Sequence, residues 1–189
     1  SKTHHIEFLM EVNKAFEHVR RGSVAREPKL QDYPLVPLLA SLTSYAWSRY
    51  IGLDGLLAEP IVASRGIADG SAFATFELWC LLRNTINSLQ FEFPRSTICI
   101  HVDDLCITVV EDTAEQALNE AKGIIDRAII EFTHKEGLPF ADEKTFVIAS
   151  TLALAKTVAR VILPTATAAD SVKRLGVDYT LARAQPRRN

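Results

Sequence analysis

Cysteine is scarce in this chain. Only three occur among 189 residues, namely Cys80, Cys99 and Cys106. They show no Cys-x-x-Cys spacing, and each lies within an apolar run. This pattern argues against a disulfide framework and is typical of reduced core thiols. We therefore expect an intracellular protein, with nucleus and cytoplasm not distinguished.

The chain also lacks an excess of positive charge and a long apolar run. Its formal charge is -2 and its pI about 6.2, which argues against a broad basic surface that grips nucleic acid. Charged or polar residues interrupt every apolar stretch well short of the roughly 20 residues that cross a bilayer, so we expect no membrane partner. A hydrophobic content of 48% is enough for one ordinary domain with a core.

Two apolar runs, residues 98–102 and 105–110, flank the pair Asp103-Asp104. Their β-branched residues predict two strands, with the two acids as the tight turn between them. Adjacent carboxylates repel each other and stay ionised most readily when a cation lies between them. Aspartate also favours turns without any chemistry, so the pair alone leaves both interpretations open.

A further carboxylate, Glu11, lies near the end of the strand predicted over residues 6–12. If this strand lies beside the hairpin, Glu11 and Asp103 come together with Asp104 next to them. Three carboxylates on adjoining strand ends are ligands for hard divalent cations. Two such ions about 4 Å apart stabilise the attacking and leaving oxygens of phosphoryl transfer.

The remaining pattern predicts helices around a small sheet. Pro28 and Pro34 are expected to break a helix–loop–helix segment over residues 23–50, and a hairpin is expected to turn at Asp54-Gly55. Capping residues predict helices after Ser71 and Thr113. Apolar side chains of the first of these recur at helical spacing and predict its buried stripe: Phe73, Phe76, Trp79, Leu82, Ile86 and Leu89.

Toward its C-terminus the chain is predicted to alternate between strand and helix. Gly137 ends the helix that starts after Thr113, and a strand follows Lys144. Residues 151–163 are predicted to be helical, residues 165–171 a linker of small side chains, and residues 175–179 a short strand. Since the central hairpin is antiparallel, the fold class is α+β, a small antiparallel sheet with helices packed on one face.

Five motifs in this order resemble the palm of reverse transcriptases, closest to the non-LTR retrotransposon and group II intron type. His101-Val102-Asp103-Asp104-Leu105 is similar to the aromatic-x-Asp-Asp box. Residues 8–19 resemble the strand that ends in Asp before Lys-Ala-Phe-Asp, and residues 65–71 resemble the Arg-Gly-x-x-Gln-Gly-Ser/Asp loop. Lys144-Thr145 and Leu175-Gly176 resemble the lysine motif and the start of the primer grip.

The resemblance implies a palm domain over residues 1–180 with a small helical insertion on the fingers side, followed by a basic disordered tail over residues 181–189. It implies a longer chain that supplies the missing fingers and thumb. The implied activity is RNA-directed DNA synthesis by two-metal nucleotidyl transfer, with an RNA template, a DNA primer and dNTP as partners.

The resemblance also implies roles for particular residues. Two Mg²⁺ ions, or Mn²⁺, would be held by the carboxylates of Glu11, Asp103 and Asp104. Lys144 would neutralise or protonate the leaving pyrophosphate, which is the electrostatic work of phosphoryl transfer. Phe16 would be the steric gate that excludes a ribose 2′-hydroxyl. The remaining residues would lie along nucleotide and template: Arg65, Gly66, Asp69, Gly70 and Ser71.

Three departures from the family pattern shape the expected activity. Glu11 stands in place of Asp, and Mg²⁺ demands near-ideal geometry from its ligands. Asp69 stands in place of Gln, which adds negative charge beside an anionic nucleotide, and His101 replaces the aromatic residue of the box. We therefore expect a palm fragment that is weak or inactive alone.

Three other interpretations remain open at this stage. One is a non-catalytic, degenerate palm that binds RNA or a protein partner. Another is a different palm enzyme, an RNA-templated RNA polymerase or a nucleotide cyclase, although Phe16 and the run Lys14-Ala15-Phe16 argue against these. The last is an α+β domain whose acids merely occupy turns, which leaves the ordered set of motifs unexplained.

Overall fold

The structure is a computed structural model that describes residues 3–68, 70–174 and 177–180. Its elements in chain order are β1 (His4–Glu11), α1 (Ala15–His18), α2 (Arg21–Leu30), α3 (Leu35–Ala46), β2 (Gly52–Leu53), β3 (Leu56–Leu57), α4 (Ala74–Glu92), β4 (Thr97–His101), β5 (Asp104–Glu111), α5 (Ala114–Ile129), a π-helical segment (Ile130–Glu136), a 3₁₀ turn (Asp142–Lys144), β6 (Phe146–Ala149), α6 (Leu152–Ile162), β7 (Thr167–Ala168), β8 (Ser171–Arg174) and β9 (Val177–Thr180).

The chain divides into two compact units. We call the first the sheet unit; it comprises the residues up to 13, residues 85–135 and those from 139 onwards. The second, the helical unit, comprises residues 14–84 and 136–138. The predicted extent of the palm domain, residues 1–180, stays a prediction.

Five strands form the sheet of the sheet unit, in the order β4-β5-β1-β6-β7. All neighbours are antiparallel except β6 and β7, which are parallel. Side chains alternate along β1 and β5, so that Phe8 lies opposite Ile107 and Met10 opposite Leu105, all four buried. The prediction of an α+β fold with a small antiparallel sheet is confirmed, and the parallel pair β6–β7 is an addition to it.

Helices α5 and α6 pack on the sheet and on each other. Each begins at a threonine whose hydroxyl accepts a backbone N–H three residues on, Thr113 from Gln116 and Thr151 from Leu154. The predicted α5 start and its end before Gly137, which has φ +75°, are confirmed. The last turns before Gly137 are π-helical, which periodicity did not predict.

Two predictions about the chain path and one about a cysteine were wrong. Pro28 lies inside α2, which continues to Leu30, so the proline does not end this helix at the residue before it. The predicted linker contains β7, whose backbone joins the edge of the sheet beside β6. Cys99 is exposed on the edge strand β4, whereas Cys80 is buried; all three cysteines are free thiols.

In the helical unit, α2 and α3 pack together, and a two-residue turn at Asp54-Gly55 joins β2 to β3. Both turn residues have positive φ, 50° and 79°, which confirms the predicted turn. The core of this unit is built from buried side chains of α3 and α4, among them Leu38, Tyr45, Leu78, Leu81 and Leu82.

The predicted buried stripe of α4 was wrong in its aromatic half. Phe73, Phe76 and Trp79 are exposed, whereas Leu78, Leu81 and Leu82 are buried. Both sets recur at helical spacing, so the spacing alone does not distinguish the buried face from the exposed one. The basic tail over residues 181–189 and the pair Leu175-Gly176 lie outside the described residues. Within the part of the chain that the structure describes, no helix has the length and apolar character that a bilayer span requires.

Candidate functional site

Glu11 and Asp104 lie directly opposite each other where β1 and β5 pair. Opposite residues of an antiparallel pair point to the same face, with Cβ atoms about 4.5–5.5 Å apart. The buried side chains of Met10 and Leu105 point to the other face, toward the core. Two carboxylates in this relation repel each other, which favours a positive charge beside them.

Asp103 is brought to the same place by a strained turn. The turn between β4 and β5 consists of Val102 and Asp103, with Asp104 already in β5, so the predicted Asp103-Asp104 turn is shifted by one residue. Val102 has φ +58°, which a β-branched residue rarely adopts. The carbonyl of Asp103 accepts a 2.7 Å hydrogen bond from the amide of Val12, which fixes the turn against the end of β1.

Lys144 donates a hydrogen bond to Oε1 of Glu11. The backbone supports this contact, because the amide of Ala141 bonds the carbonyl of Glu11 at 2.8 Å and the 3₁₀ turn ending at Lys144 follows directly. The hydrogen bond to Glu11 is the main reason why the pKa of Lys144 is raised, and the negative charge of Asp103 acts in the same direction. Glu11, Asp103 and Lys144 therefore share one electrostatic neighbourhood.

The polar face of the sheet continues beyond these residues. The thiol of Cys106 donates to Oε1 of Glu7 at 3.2 Å, and Cys99 lies opposite Cys106 on β4. Burial first, and then the charge of Glu7, raise the pKa of Cys106 to about 12. The thiol therefore stays protonated and unreactive at neutral pH. His101 pairs with Asp104 at the exposed end of β4.

A cavity of about 280 Å³ lies within the sheet unit. Met10 and Thr145, each adjacent in sequence to a candidate site residue, line it together with Thr133 of the π-helical segment. The remaining lining is Ile129, Pro139, Phe140, Asp142 and Leu163. Its volume is slightly below that of typical small-molecule pockets, and its lining is mostly apolar.

The carboxylates of Glu11, Asp103 and Asp104 have the oxygen chemistry that Mg²⁺ and Mn²⁺ prefer. Across the described residues, however, no three side chains of His, Cys, Asp or Glu are grouped closely enough to hold a metal ion. One oxygen of Glu11 is instead engaged by the Lys144 ammonium. The donor chemistry fits a divalent cation, and the arrangement observed is that of a lysine–carboxylate pair.

In the helical unit, the segment around Phe16 is joined to the predicted glycine loop. The amide of Ile67 donates to the carbonyl of Phe16 at 2.8 Å, and the amide of Gly66 donates to that of Val19 at 2.7 Å. Gly66 has φ +86°, and a Cβ at this position would lie 2.9 Å from the carbonyl oxygen of Glu17. Only glycine fits this close backbone approach.

Arg21 holds the same loop, and the sequence analysis missed it. Its guanidinium donates to the carbonyls of Ala63, Gly66 and Arg65 at 2.5, 3.0 and 3.4 Å. Burial, and then the charge of Arg49, lower the pKa of Arg21. No local sequence signal marks an arginine whose acceptors are backbone carbonyls more than 40 residues away, as here.

The other predicted loop residues also belong to the helical unit, except that Asp69 lies outside the described residues. Arg65 and Gly70 are exposed, and Gly70 has φ +82°. The hydroxyl of Ser71 accepts the amide of Phe73 at 3.4 Å, just before α4 begins. The structure thus brings Phe16 and Gly66 together in one unit, and Glu11, Asp103, Asp104 and Lys144 in the other.

Comparison with protein-family models found no match, and comparison with curated proteins found none either. Solved structures do match. One is apo telomerase from Candida tropicalis truncated from the C-terminal domain, with a TM-score of 0.61 and 12% identity over 94% of this chain and 34% of that one. Another is telomerase from Candida albicans in complex with a TWJ fragment of telomeric RNA, with a TM-score of 0.51 and 11% identity over 94% of this chain and 30% of that one.

The chain therefore spans about a third of the length of these telomerases. At an identity of 11–12%, these matches indicate a shared fold, and they do not indicate the substrates or the activity of this chain. The likeness to telomerase supports a reverse-transcriptase-like fold and does not distinguish a retrotransposon type. The chain has a palm-like α+β fold of the reverse-transcriptase kind.

Proposed function

We propose that the chain is the palm region of an RNA-directed DNA polymerase of a retroelement, which acts by two-metal nucleotidyl transfer within a longer polypeptide. The observation that carries the proposal is the position of Glu11 opposite Asp104, with Lys144 donating to Glu11. The likeness to telomerase, a reverse-transcriptase-related polymerase, supports the same class of reaction. RNA template, DNA primer and dNTP are the proposed partners.

The carboxylates of Glu11, Asp103 and Asp104 would hold Mg²⁺ or Mn²⁺, which would supply charge stabilisation to the reacting phosphate oxygens. The chain's own contribution is to position these acids. The pairing of β1 with β5 sets Glu11 against Asp104, and the bond between Val12 and Asp103 sets the turn beside them. Such positioning is the main work of a protein in phosphoryl transfer.

Lys144 would act at the leaving pyrophosphate. The hydrogen bond to Glu11 raises the pKa of Lys144, so its ammonium is charged throughout the neutral range and can neutralise the leaving pyrophosphate. The same bond makes the ammonium a weaker acid, so protonation of the pyrophosphate would require Lys144 to leave Glu11 first. In the observed arrangement this proton donor is engaged by a proposed metal ligand. Lys144 would therefore leave Glu11 when nucleotide and cation bind.

Phe16 would exclude a ribonucleotide by contact with the 2′-hydroxyl, and the loop with Arg65, Gly66, Asp69, Gly70 and Ser71 would lie along nucleotide and template. The tight backbone of this loop supports such a role, since the carbonyls of Phe16 and Val19 hold it. Backbone that is fixed in this way can present N–H groups to a phosphate.

Metal binding by this chain is the first test. We expect Mn²⁺ to bind in titration calorimetry, and the Asp103→Asn/Asp104→Asn variant to lose that binding. Asp112→Asn is the matched control, because Asp112 is an exposed carboxylate just beyond the other end of β5. Equal binding by all three proteins would contradict the assignment of these ligands.

The second test is primer extension on a poly(rA) template with an oligo(dT) primer and dTTP. We expect this chain alone to be weak or inactive, and the longer polypeptide to extend the primer. Glu11→Asp in the longer polypeptide should raise the rate by about a hundredfold, because a misplacement of about 1 Å costs that much. No gain from Glu11→Asp, together with no extension by the parent, would contradict the proposed activity.

A degenerate palm that binds RNA or a protein partner is the second candidate. The observation that favours it is that within the described residues no three metal-ligating side chains are grouped closely enough to hold an ion. The combined change Glu11→Asp and Asp69→Gln distinguishes the two. Restored extension indicates a damaged enzyme, and none with retained RNA binding indicates a binding module.

A further inference from the structure

An aromatic strip runs along the exposed side of α4 in the helical unit. We define it as Tyr33, Phe76 and Trp79, with Arg83 at its end. The rings of Tyr33 and Phe76 stack with centroids 5.4 Å apart at 28°, and those of Phe76 and Trp79 lie 5.2 Å apart at 37°. The guanidinium carbon of Arg83 lies 5.2 Å from the centroid of the Trp79 ring.

The strip is both exposed and held in place. Phe76 is 50% and Trp79 44% exposed, whereas Tyr33 is buried and supports one end. At the other end, Arg83 donates to the side-chain oxygen of Gln31 at 3.1 Å, and Gln31 donates in turn to the carbonyl of Cys80 at 2.6 Å. Contact with a ligand would therefore cost these side chains little conformational freedom.

The chemistry of the strip matches single-stranded nucleic acid. Exposed aromatic rings provide stacking surfaces for unpaired bases without regard to sequence, and a guanidinium beside them pairs with the phosphate backbone. Arginine has five N–H donors. Within the described residues Gln31 accepts one of those of Arg83, which leaves other donors for phosphate. This charge separates the strip from the exposed leucines of β2 and β3, which offer neither ring nor charge.

We propose that the aromatic strip with Arg83 is a binding site for single-stranded nucleic acid, in which unpaired bases stack against Phe76 and Trp79 while Arg83 binds a phosphate. The ligand class rests on the proposed function, because a template is single-stranded before it is copied. The site itself rests on the geometry of the helical unit alone.

Trp79 reports on the site directly. The chain has two tryptophans, Trp47 and Trp79, so Trp47→Phe leaves Trp79 as the sole fluorophore of its kind. We expect a labelled oligo(U) 12-mer to bind in fluorescence anisotropy and an unlabelled one to quench Trp79 saturably with the same Kd. Trp79→Phe, which leaves only Trp47, should bind with weakened affinity and show no quenching.

Single substitutions distinguish the contribution of base stacking to oligo(U) binding from that of the positive charge. Phe76→Leu in the Trp47→Phe background should weaken binding about tenfold, which is the size of a lost base stack. Arg83→Gln should reduce the slope of log K against log salt by about 0.7, the value for one phosphate contact on a single strand. Phe91→Leu, at an aromatic residue of α4 that is 90% exposed and lies outside the strip, should change neither quantity.

Several results would overturn the proposal. The first is no binding of oligo(U), and the second is binding without quenching of Trp79. The third is equal quenching of Trp79 by an RNA duplex. The fourth is a Trp79 signal that depends on protein concentration alone, which would indicate self-association. Primer extension without Trp79 quenching would remove the site and keep the proposed function. Quenching of Trp79 by oligo(U), with no extension by the longer polypeptide, would keep the site and remove the polymerase.

Discussion

Tyr45 and Glu77 form a buried hydrogen bond that we expect to be among the strongest single contributions to the helical unit. The phenol of Tyr45 donates to Oε2 of Glu77 at 2.7 Å, and the two residues are 1% and 0% exposed. In the described part of the chain no hydrogen-bond partner reaches the other oxygen, Oε1, which is also buried. Tyr45→Phe would therefore leave the carboxylate without its one observed donor.

The expected cost of Tyr45→Phe follows from this geometry. A hydrogen bond to a charged group contributes about 1.5–3 kcal/mol, and loss of a partner inside a protein leaves the desolvation cost of the other group unpaid. We expect the free energy of unfolding to fall by about 2 kcal/mol. Tyr50→Phe is the control with an expected change near zero, because Tyr50 is 60% exposed in the same unit.

Urea unfolding followed by tryptophan fluorescence is the appropriate assay, since both Trp47 and Trp79 lie in the helical unit. A double-mutant cycle adds Glu77→Leu and the double variant. Removal of both polar partners costs less than the sum of the single changes, and we expect a coupling of about 1.5 kcal/mol. Additive effects, or a loss below about 0.5 kcal/mol for Tyr45→Phe, would refute the reasoning.

The same contact predicts a dependence on alkaline pH. Burial, and then the hydrogen bond to Glu77, raise the pKa of Tyr45 above its ordinary value of 10.0. The unfolded chain therefore loses the phenolic proton first, so this stabilisation is complete below pH 10.0 and declines as the pH rises through the folded-state pKa. Tyr45→Phe should flatten the loss of stability in this range, and an unchanged slope would contradict the assignment.

Three further changes test the backbone and the site. Gly66→Ala should lower the free energy of unfolding by about 2 kcal/mol, because φ is positive and the new Cβ would meet the carbonyl of Glu17. The control is Gly55→Ala, which has positive φ but open space around the new Cβ and should lower the free energy of unfolding less in the same urea assay. Val102→Gly should raise stability by about 1 kcal/mol in thermal unfolding, because relief of the positive φ outweighs the entropy of glycine, and a lower Tm would contradict this. Lys144→Met should raise Mn²⁺ affinity up to about fivefold in calorimetry, because it frees the carboxylate of Glu11, a proposed ligand. Lys144→Arg keeps the positive charge and should not raise the affinity. Equal Mn²⁺ affinities of the parent and Lys144→Met would show that the ammonium does not compete with Mn²⁺ for Glu11.

Much of the fold could be predicted from local sequence patterns. The strand that carries Glu11 near its end, the Asp54-Gly55 turn and the α5 start at Thr113 were all predicted, because alternation, turn chemistry and capping act within a few residues. The prediction that Glu11 and Asp103 come together, with Asp104 next to them, depended on the first strand lying beside the hairpin. The structure pairs β1 with β5 and sets Glu11 opposite Asp104.

The exposed stripe of α4 shows where local pattern fails. Phe76 and Trp79 recur at helical spacing, as do Leu78 and Leu82, so periodicity could not tell which face would be covered. The answer depends on residues far away in sequence; the phenol of Tyr45, for example, bonds the buried side of α4 at Glu77. The short strand β7 was missed for a related reason, since its two residues are strand only through pairing with β6.

The sequence by itself determined the α+β class, the element boundaries that caps and turns set, and the five motifs, because each depends on residues close together in the chain. Tertiary structure alone decided that Asp104 belongs to β5, that Arg21 holds the glycine loop and that Lys144 donates to Glu11. The contacts of Arg21 and Lys144 join residues 42 to 133 positions apart. Chain folding sets such distances through packing of the whole core, which no local pattern encodes.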